Sequence, residues 1–168
     1  MSIVILIEDS TGGGKLFKLL PYEPSTRIIR LIYLAPVVMN YVASDDPRAG
    51  YLHAELDSFI SGDNIVISMV PRNAATAFIG ILDPPENGMF DIRSRDPRPA
   101  MRILGGFARK DVFIGLVLRT RKLLLTEKDW DVAIAECKRK WQSRFHALLP
   151  LTGASPSDYL SNCTCMDL

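Results

Sequence analysis

A basic, strand-rich stretch at residues 90–122 constrains the fold of this chain more than any other feature of its sequence. It contains three strand-like segments in a row, separated by short turns. It also carries nine of the 20 lysines and arginines and only three acidic residues, which gives it a net charge of +6. Because the whole chain has a net charge of +1, the remainder is acidic. Such segregation favours a basic sheet face that meets nucleic acid or an acidic partner.

The first of the three segments alternates with a period of two residues. Phe90 and Ile92 face one side of the predicted strand, and Asp91 and Arg93 face the other. The apolar side is expected to join the core, so the charged side is expected to form part of the basic face.

The second and third segments are more apolar. Residues 101–107 contain Gly105 and Gly106, which indicate a bulge or a close approach of the backbone. Residues 112–118 are almost entirely apolar, as in a strand that is covered on both faces. Together the three segments predict an antiparallel meander at about residues 90–118.

A helix is predicted on either side of this meander. Residues 49–61 carry an apolar stripe and are followed by Gly62. Residues 127–147 follow Thr126, an N-cap candidate, with Asp129 three residues later. The core-facing stripe of this long C-terminal helix consists of Trp130, Ile134, Cys137, Trp141 and Phe145. These elements predict an α+β fold with a mainly antiparallel sheet.

The domain organisation follows from length and composition. We expect a single α+β domain over residues 1–150 and a polar C-terminal tail at residues 151–168. Residues 1–45 either add strands to the same sheet or form an extra β-rich arm. Within them, the β-branched run at residues 3–7 predicts a buried strand.

The glycine run at residues 12–14 superficially resembles a phosphate-binding loop. In that motif a glycine precedes the Gly-Lys pair by five positions, and a hydroxyl residue follows the lysine to bind magnesium. Here Asp9 occupies the glycine position and Leu16 the hydroxyl position. We therefore interpret the run as a turn.

Location and cofactors are constrained by what the sequence lacks. No apolar run reaches the roughly 18 residues that span a bilayer, and the N-terminus lacks the basic region and cleavage site of a signal peptide. We therefore expect a cytoplasmic protein with no membrane partner. Cys163 and Cys165 lie in the polar tail with no histidine nearby, whereas a zinc site needs about four ligands. We expect no metal and no cofactor.

Residues 83–141 resemble the RelE-type toxin superfamily, in its HigB-like, phage-derived branch. The motifs are Phe-Asp-Ile-Arg, Met-Arg-Ile-Leu and Val-Phe-Ile-Gly-Leu-Val, followed by a basic cluster and a helix. The resemblance implies that Arg93, Arg102 and Lys122 bind mRNA phosphate and stabilise charge while an RNA strand is cut in the ribosome.

Three functions are compatible with these observations: an RNA-binding toxin-type protein, a ribosome-dependent endoribonuclease, and a non-catalytic interaction or structural domain with a solvated arginine-rich face. Strand cleavage needs a proton acceptor, which Asp91 or His146 would have to supply, so no catalytic residue is assigned. The expected partners are RNA or the ribosome, an antitoxin-like protein, or a second copy of the chain. The candidate nucleic-acid-binding residues are Arg93, Arg95, Arg102, Arg109, Arg119 and Lys122.

Overall fold

An eight-stranded sheet is the centre of the computed structural model, which describes residues 7–8, 11–72 and 76–166. The strands are β1 (Phe17–Lys18), β2 (Leu31–Leu34), β3 (Ile65–Ser68), β4 (Ile79–Ile81), β5 (Met89–Arg93), β6 (Met101–Arg109), β7 (Val112–Thr120) and β8 (Cys163–Cys165). They lie in the order β1-β2-β7-β6-β5-β4-β3-β8. The two longest strands, β6 and β7, are adjacent and almost wholly buried.

The expected fold, a mainly antiparallel sheet built on a three-strand meander at about residues 90–118, is wrong. Strands β5, β6 and β7 are antiparallel neighbours, but they form only the middle of a mixed sheet. The pairs β2–β7, β3–β4 and β3–β8 are parallel, whereas β1–β2 and β4–β5 are antiparallel. Short apolar runs such as β2 and β3 carry no pattern that specifies a partner strand, so their sequences did not reveal this arrangement.

Four helices accompany the sheet in the described part of the chain, where the sequence predicted two. They are α1 (Pro36–Val42), α2 (Pro47–Ser61), α3 (Glu127–Phe145) and α4 (Pro156–Tyr159). Helix α2 follows its N-cap Asp46 and ends at Gly62, whose φ of 89° suits glycine. Helix α3 has 19 residues and begins with a reciprocal capping box between Thr126 and Asp129. None of these helices combines the length and apolar character needed to cross a bilayer.

Helix α3 packs against one face of the central strands. The Sγ atom of Cys137 lies 3.8 Å from the Sδ atom of Met89. Phe90, the next residue on β5, points to the opposite face, where its ring centroid is 5.2 Å from that of Phe107 and 4.8 Å from that of Tyr159. The sheet therefore has buried side chains on both of its faces.

Residues 151–166 of the expected polar tail are part of the fold. Tyr159 and Leu160 are each 1% exposed, and β8 pairs with β3 at the edge of the sheet. The Tyr159 hydroxyl accepts a hydrogen bond from the Gly153 amide at 2.6 Å. Two buried apolar side chains and a strand pairing thus hold a segment whose composition is largely polar.

The N-terminal predictions are answered only in part. The strand expected at residues 3–7 lies outside the described residues apart from Ile7, which is buried as expected but helical. The glycine run forms a turn in which the Gly14 amide donates to the Thr11 carbonyl at 3.1 Å. This turn leads into β1 at the edge of the sheet.

A buried arginine connects two segments that lie far apart in the sequence. Arg30 has no exposed surface and donates to the carbonyl oxygens of Phe59, Asp63, Ser161 and Asn162. A buried charge is tolerated when it is hydrogen-bonded in this way. Its guanidinium thereby joins the end of α2 to the segment before β8.

We expect Arg30→Met to lower the free energy of unfolding by roughly 2–4 kcal/mol, because several buried carbonyl groups would lose their donor. Urea denaturation would measure the change. Arg27→Met is the matched control, since Arg27 is exposed in the same segment. Equal unfolding free energies for the two variants would contradict the structural role of Arg30.

Candidate functional site

Three of the six candidate arginines and lysines form one row across the sheet. The register pairs Arg93 of β5 with Arg102 of β6, and Arg102 with Arg119 of β7. Directly opposed residues of antiparallel strands share a face, so all three side chains point toward the α3 side. Like charges opposed in this way repel, and the row therefore depends on nearby carboxylates.

Asp91 compensates two of these arginines. It has no exposed surface, and its Oδ1 atom lies 2.9 Å from Nε and 2.8 Å from Nη2 of Arg93. Its Oδ2 atom lies 3.3 Å from Nε of Arg102. The side chains of Arg93 and Arg102 are only 11% and 16% exposed. Among the described residues, one carboxylate thus serves two largely buried guanidinium groups, whose charges exceed its own by one.

Gly80 provides the space for this cluster. It lies directly opposite Asp91 on β4, and a methyl group there would overlap the Arg93 guanidinium. Because Asp91 holds that guanidinium, Arg93 cannot move aside without breaking the ion pair. The absence of a side chain at Gly80 is therefore a requirement of the cluster.

The cluster forms part of a cavity of about 490 Å³ between the sheet and the first turns of α3. This volume lies within the range of roughly 300–1,000 Å³ that is typical of small-molecule sites. The apolar lining residues are Ile81, Leu82, Leu125, Trp130 and Ile134, and the charged ones are Arg72, Asp83, Asp91, Arg93, Arg102, Arg121, Glu127 and Asp131. Thr126, the N-cap of α3, completes the lining.

Arg121, which is not among the candidate residues predicted from the sequence, adds a third guanidinium group. The chain leaves β7 at Thr120 through a short 3-10 turn, which directs Arg121 into the cavity. Its guanidinium carbon lies 6.0 Å from the Trp130 ring centroid, and it donates to the Leu124 carbonyl oxygen. Arg121 forms no ion pair with any carboxylate in the described residues.

The charge of Arg102 is costly in this setting. Burial lowers the pKa of its guanidinium, the charge of Asp91 opposes that effect, and the charges of Arg93 and Arg121 reinforce it. An arginine nevertheless stays protonated in a protein. The cavity therefore holds a largely buried cation whose neighbours are mostly cations.

The exposed side of the cavity, which we call its mouth, has an excess of negative charge, in contrast to the buried arginines. Arg72 donates to Glu127 at 2.6 Å and to Asp83 at 3.0 Å. These three side chains are 63%, 76% and 47% exposed, respectively. The exposed Asp131, which also lines the cavity, forms no ion pair with a described residue. With the guanidinium of Arg121, which is also exposed, three carboxylates and two guanidinium groups leave an excess of one negative charge among the exposed lining residues.

The other predicted residues do not join the cluster. Arg119 forms an ion pair with Glu136 of α3, which Lys140 also contacts at 2.8 Å. Arg109 lies seven residues beyond Arg102 on β6, roughly 23 Å away at about 3.3 Å per residue. Their positions divide the predicted basic face into a covered row and separate surface charges.

Arg95 and Lys122 are exposed at the surface. Arg95 lines a second cavity of about 300 Å³ beside β3, together with Glu55 of α2. Burial raises the pKa of Glu55, and a side-chain hydrogen bond with Ser94 and the charge of Arg95 partly offset the increase. Lys122 lies on the 3-10 turn after β7 but is not among the residues that line the larger cavity.

The larger cavity is chemically suited to binding an anion. None of the described residues that line it is a histidine, cysteine or tyrosine. Asp91, one of the two proton acceptors considered from the sequence, is engaged by two arginines. The other, His146, follows the C-terminus of α3, roughly 28 Å from its first residue at about 1.5 Å per residue. Neither of the two acceptors considered from the sequence is therefore available beside the buried arginines, and the other carboxylates of the described lining, those of Asp83, Glu127 and Asp131, are exposed.

Comparison with protein-family models, with curated proteins and with solved structures finds no match to this chain. Its function is therefore inferred from the geometry of the cavity.

We expect Gly80→Ala to lower the free energy of unfolding by roughly 1–3 kcal/mol, because the added methyl group would overpack the Arg93–Asp91 pair. Chemical denaturation would measure it. Gly50→Ala is the matched control: a methyl group at Gly50 meets no neighbour, and alanine favours its helix by about 1 kcal/mol. A destabilising Gly50→Ala would contradict the open space at Gly50, and a stabilising Gly80→Ala would contradict the close contact of Gly80 with Arg93.

Glu55→Gln should change the pH dependence of stability. Because burial raises the pKa of Glu55 above its value in the unfolded chain, ionisation of Glu55 costs stability as the pH rises through the folded-state pKa. The variant should therefore gain stability relative to the wild type as the pH rises above about 4, the ordinary pKa of a glutamate in an unfolded chain, as measured by urea denaturation at each pH. Glu86→Gln, at an exposed position, controls for the amide replacement. A difference in unfolding free energy between Glu55→Gln and the wild type that does not change with pH would refute the proposed burial of Glu55.

Proposed function

We infer that this protein binds a phosphate-bearing ligand in the cavity between the central strands and the start of α3. The observation that carries this proposal is the group formed by Arg93, Arg102 and Arg121, beside which Asp91 is the one fully buried carboxylate among the described residues that line the cavity. Guanidinium groups bind phosphate through paired, charge-assisted hydrogen bonds, and planar geometry makes arginine well suited to this role.

The two buried arginines carry more positive charge than the described carboxylate beside them compensates. Arg93 and Arg102 lose most of their contact with water, yet they share one carboxylate. A cation removed from water is stabilised by a paired anion, and an incompletely compensated one is costly. An incoming anion would supply the missing charge in a partly desolvated position, where its attraction is screened less than at the surface.

The start of α3 adds to this preference. Thr126 and Glu127, at its N-terminal end, line the cavity. The N-terminus of a helix carries a partial positive charge that favours anions. Its contribution is secondary to that of the arginines, because Glu127 places a negative charge at the same end.

Binding is better supported than cleavage of RNA. The RelE-type resemblance implies cleavage with Arg93, Arg102 and Lys122 at the phosphate. Attack by a ribose hydroxyl needs a positioned base as well as a charge stabiliser. The described lining supplies the stabiliser, while Asp91 is occupied by ion pairs and Lys122 lies outside the cavity.

Nucleic-acid binding at the surface is a second candidate, supported by a different observation. Arg95, Arg109 and Lys122 are exposed and form no ion pair with a described carboxylate. Contacts of such side chains with phosphates would make RNA affinity fall with salt.

We also propose a cytoplasmic location, which suits the three unpaired cysteines.

We expect inorganic pyrophosphate to bind the wild-type protein and to raise its melting temperature at constant ionic strength. Arg121→Ala should weaken this binding at least tenfold in calorimetric titration, because a charge-assisted hydrogen bond contributes roughly 1.5–3 kcal/mol. Arg121 is the preferred site for substitution because it is exposed and has no carboxylate partner to leave unpaired.

Arg139→Ala provides the matched control, since Arg139 is an exposed arginine of α3 that does not line the cavity. It should bind pyrophosphate like the wild type. Equal loss of affinity in both variants would indicate general charge attraction, and unchanged affinity in Arg121→Ala would overturn the proposed site.

A further inference from the structure

We propose that the ligand of this cavity is dipolar: a phosphate head group bound by the arginines at the base, an apolar or aromatic body along the wall, and a cationic group at the mouth. This inference rests on the proposed function and specifies the class of ligand for the same site. It is carried by the opposite charge balance at the two ends of the cavity and by the apolar surface between them.

The two ends differ in charge as well as in burial. At the base, Arg93 and Arg102 share the fully buried Asp91, so the positive charge is in excess where water is scarce. Among the exposed lining residues, the carboxylates of Asp83, Glu127 and Asp131 outnumber the guanidinium groups of Arg72 and Arg121 by three to two. A ligand with a single negative end therefore fits one orientation only, with that end innermost.

The wall between the ends is apolar. Ile81 and Leu82 are buried, Trp130 is partly exposed, and Leu125 leaves 75% of its surface exposed beside the cavity. Inorganic phosphate would leave this surface and most of the 490 Å³ unused. An aromatic or aliphatic body would cover it, and burial of apolar surface contributes about 25 cal/mol per Å².

Arg72 shows what kind of group the mouth accepts. Its guanidinium bridges Asp83, in the loop after β4, and Glu127, the first residue of α3. These pairs are exposed, so each contributes little and can be exchanged for a ligand cation. Asp131 is a further acceptor that forms no ion pair with a described residue.

Three probes with the same head group separate the parts of this proposal: inorganic phosphate, phenyl phosphate, and the phosphate ester of tyramine, which adds an ammonium group to the aromatic ring. Calorimetric titration at fixed pH and ionic strength would give their Kd values. We expect phenyl phosphate to bind about tenfold more tightly than phosphate. The tyramine ester should gain a further two- to fivefold, as for a partly exposed ion pair.

Two variants at the mouth give opposite expectations. Asp131→Asn should remove most of the advantage of the tyramine ester over phenyl phosphate. Arg72→Ala should increase that advantage, because it removes the cation that competes for Asp83 and Glu127. A purely structural disturbance would not change the affinity ratio of the tyramine ester to phenyl phosphate in opposite directions in the two variants. Glu86→Gln, at an exposed acidic position outside the cavity, should leave all three affinities unchanged.

The outcomes distinguish this inference from the proposed function. In one outcome, phosphate and phenyl phosphate bind and Arg121→Ala weakens their binding, but the tyramine ester binds no more tightly than phenyl phosphate. This result would overturn the dipolar ligand and keep the phosphate site. Failure of all three probes to bind would overturn both. Equal affinities for phosphate and phenyl phosphate would show that the apolar wall does not contact the ligand and would also overturn the inference.

Discussion

The structure depends on the burial of one carboxylate, Asp91, between two arginines on the α3 side of the sheet. A fully buried carboxylate is costly unless it is paired, and two adjacent arginines are costly unless an anion lies between them. Each charge therefore makes the other two tolerable, and Gly80 leaves the room in which they meet. The three charges lie toward one end of the β5–β6 pairing, where Arg93 ends β5 and Arg102 is the second residue of β6, and the cavity remains beside them.

Neighbouring arginines of the same row are compensated in different ways. Arg119 has its own carboxylate, Glu136, and that carboxylate also accepts from Lys140, so this end of the row is satisfied within the protein. Among the described carboxylates, only Asp91 contacts Arg93 and Arg102, and the cavity opens beside them. Surplus charge and open space coincide at the same end of the row. This coincidence, more than the number of basic residues, locates the candidate site.

Local sequence patterns predicted the local structure well, whereas the pattern of charges predicted less of the candidate site. The alternation around Phe90 and the capping box at Thr126 depend on a few neighbouring residues, and both are present. The partners of β2, β3 and β8 depend on contacts far along the chain, which short apolar runs do not encode. Arg30 was unremarkable in the sequence because its role comes from carbonyl groups over a hundred positions away. Arg121 was missed because its direction is set by the turn after β7.

The charge balance of the cavity also bears on the choice between a small ligand and a polymer. A strand of RNA that reached Arg93 and Arg102 would have to bring successive phosphates past Asp83, Glu127 and Asp131, where like charges repel. A molecule with a single anionic head avoids this cost, because only its neutral or cationic part stays at the mouth. RNA contacts by the exposed arginines and lysines would have to arise on surfaces outside the cavity. The two kinds of binding would therefore be independent, and loss of one by substitution need not affect the other.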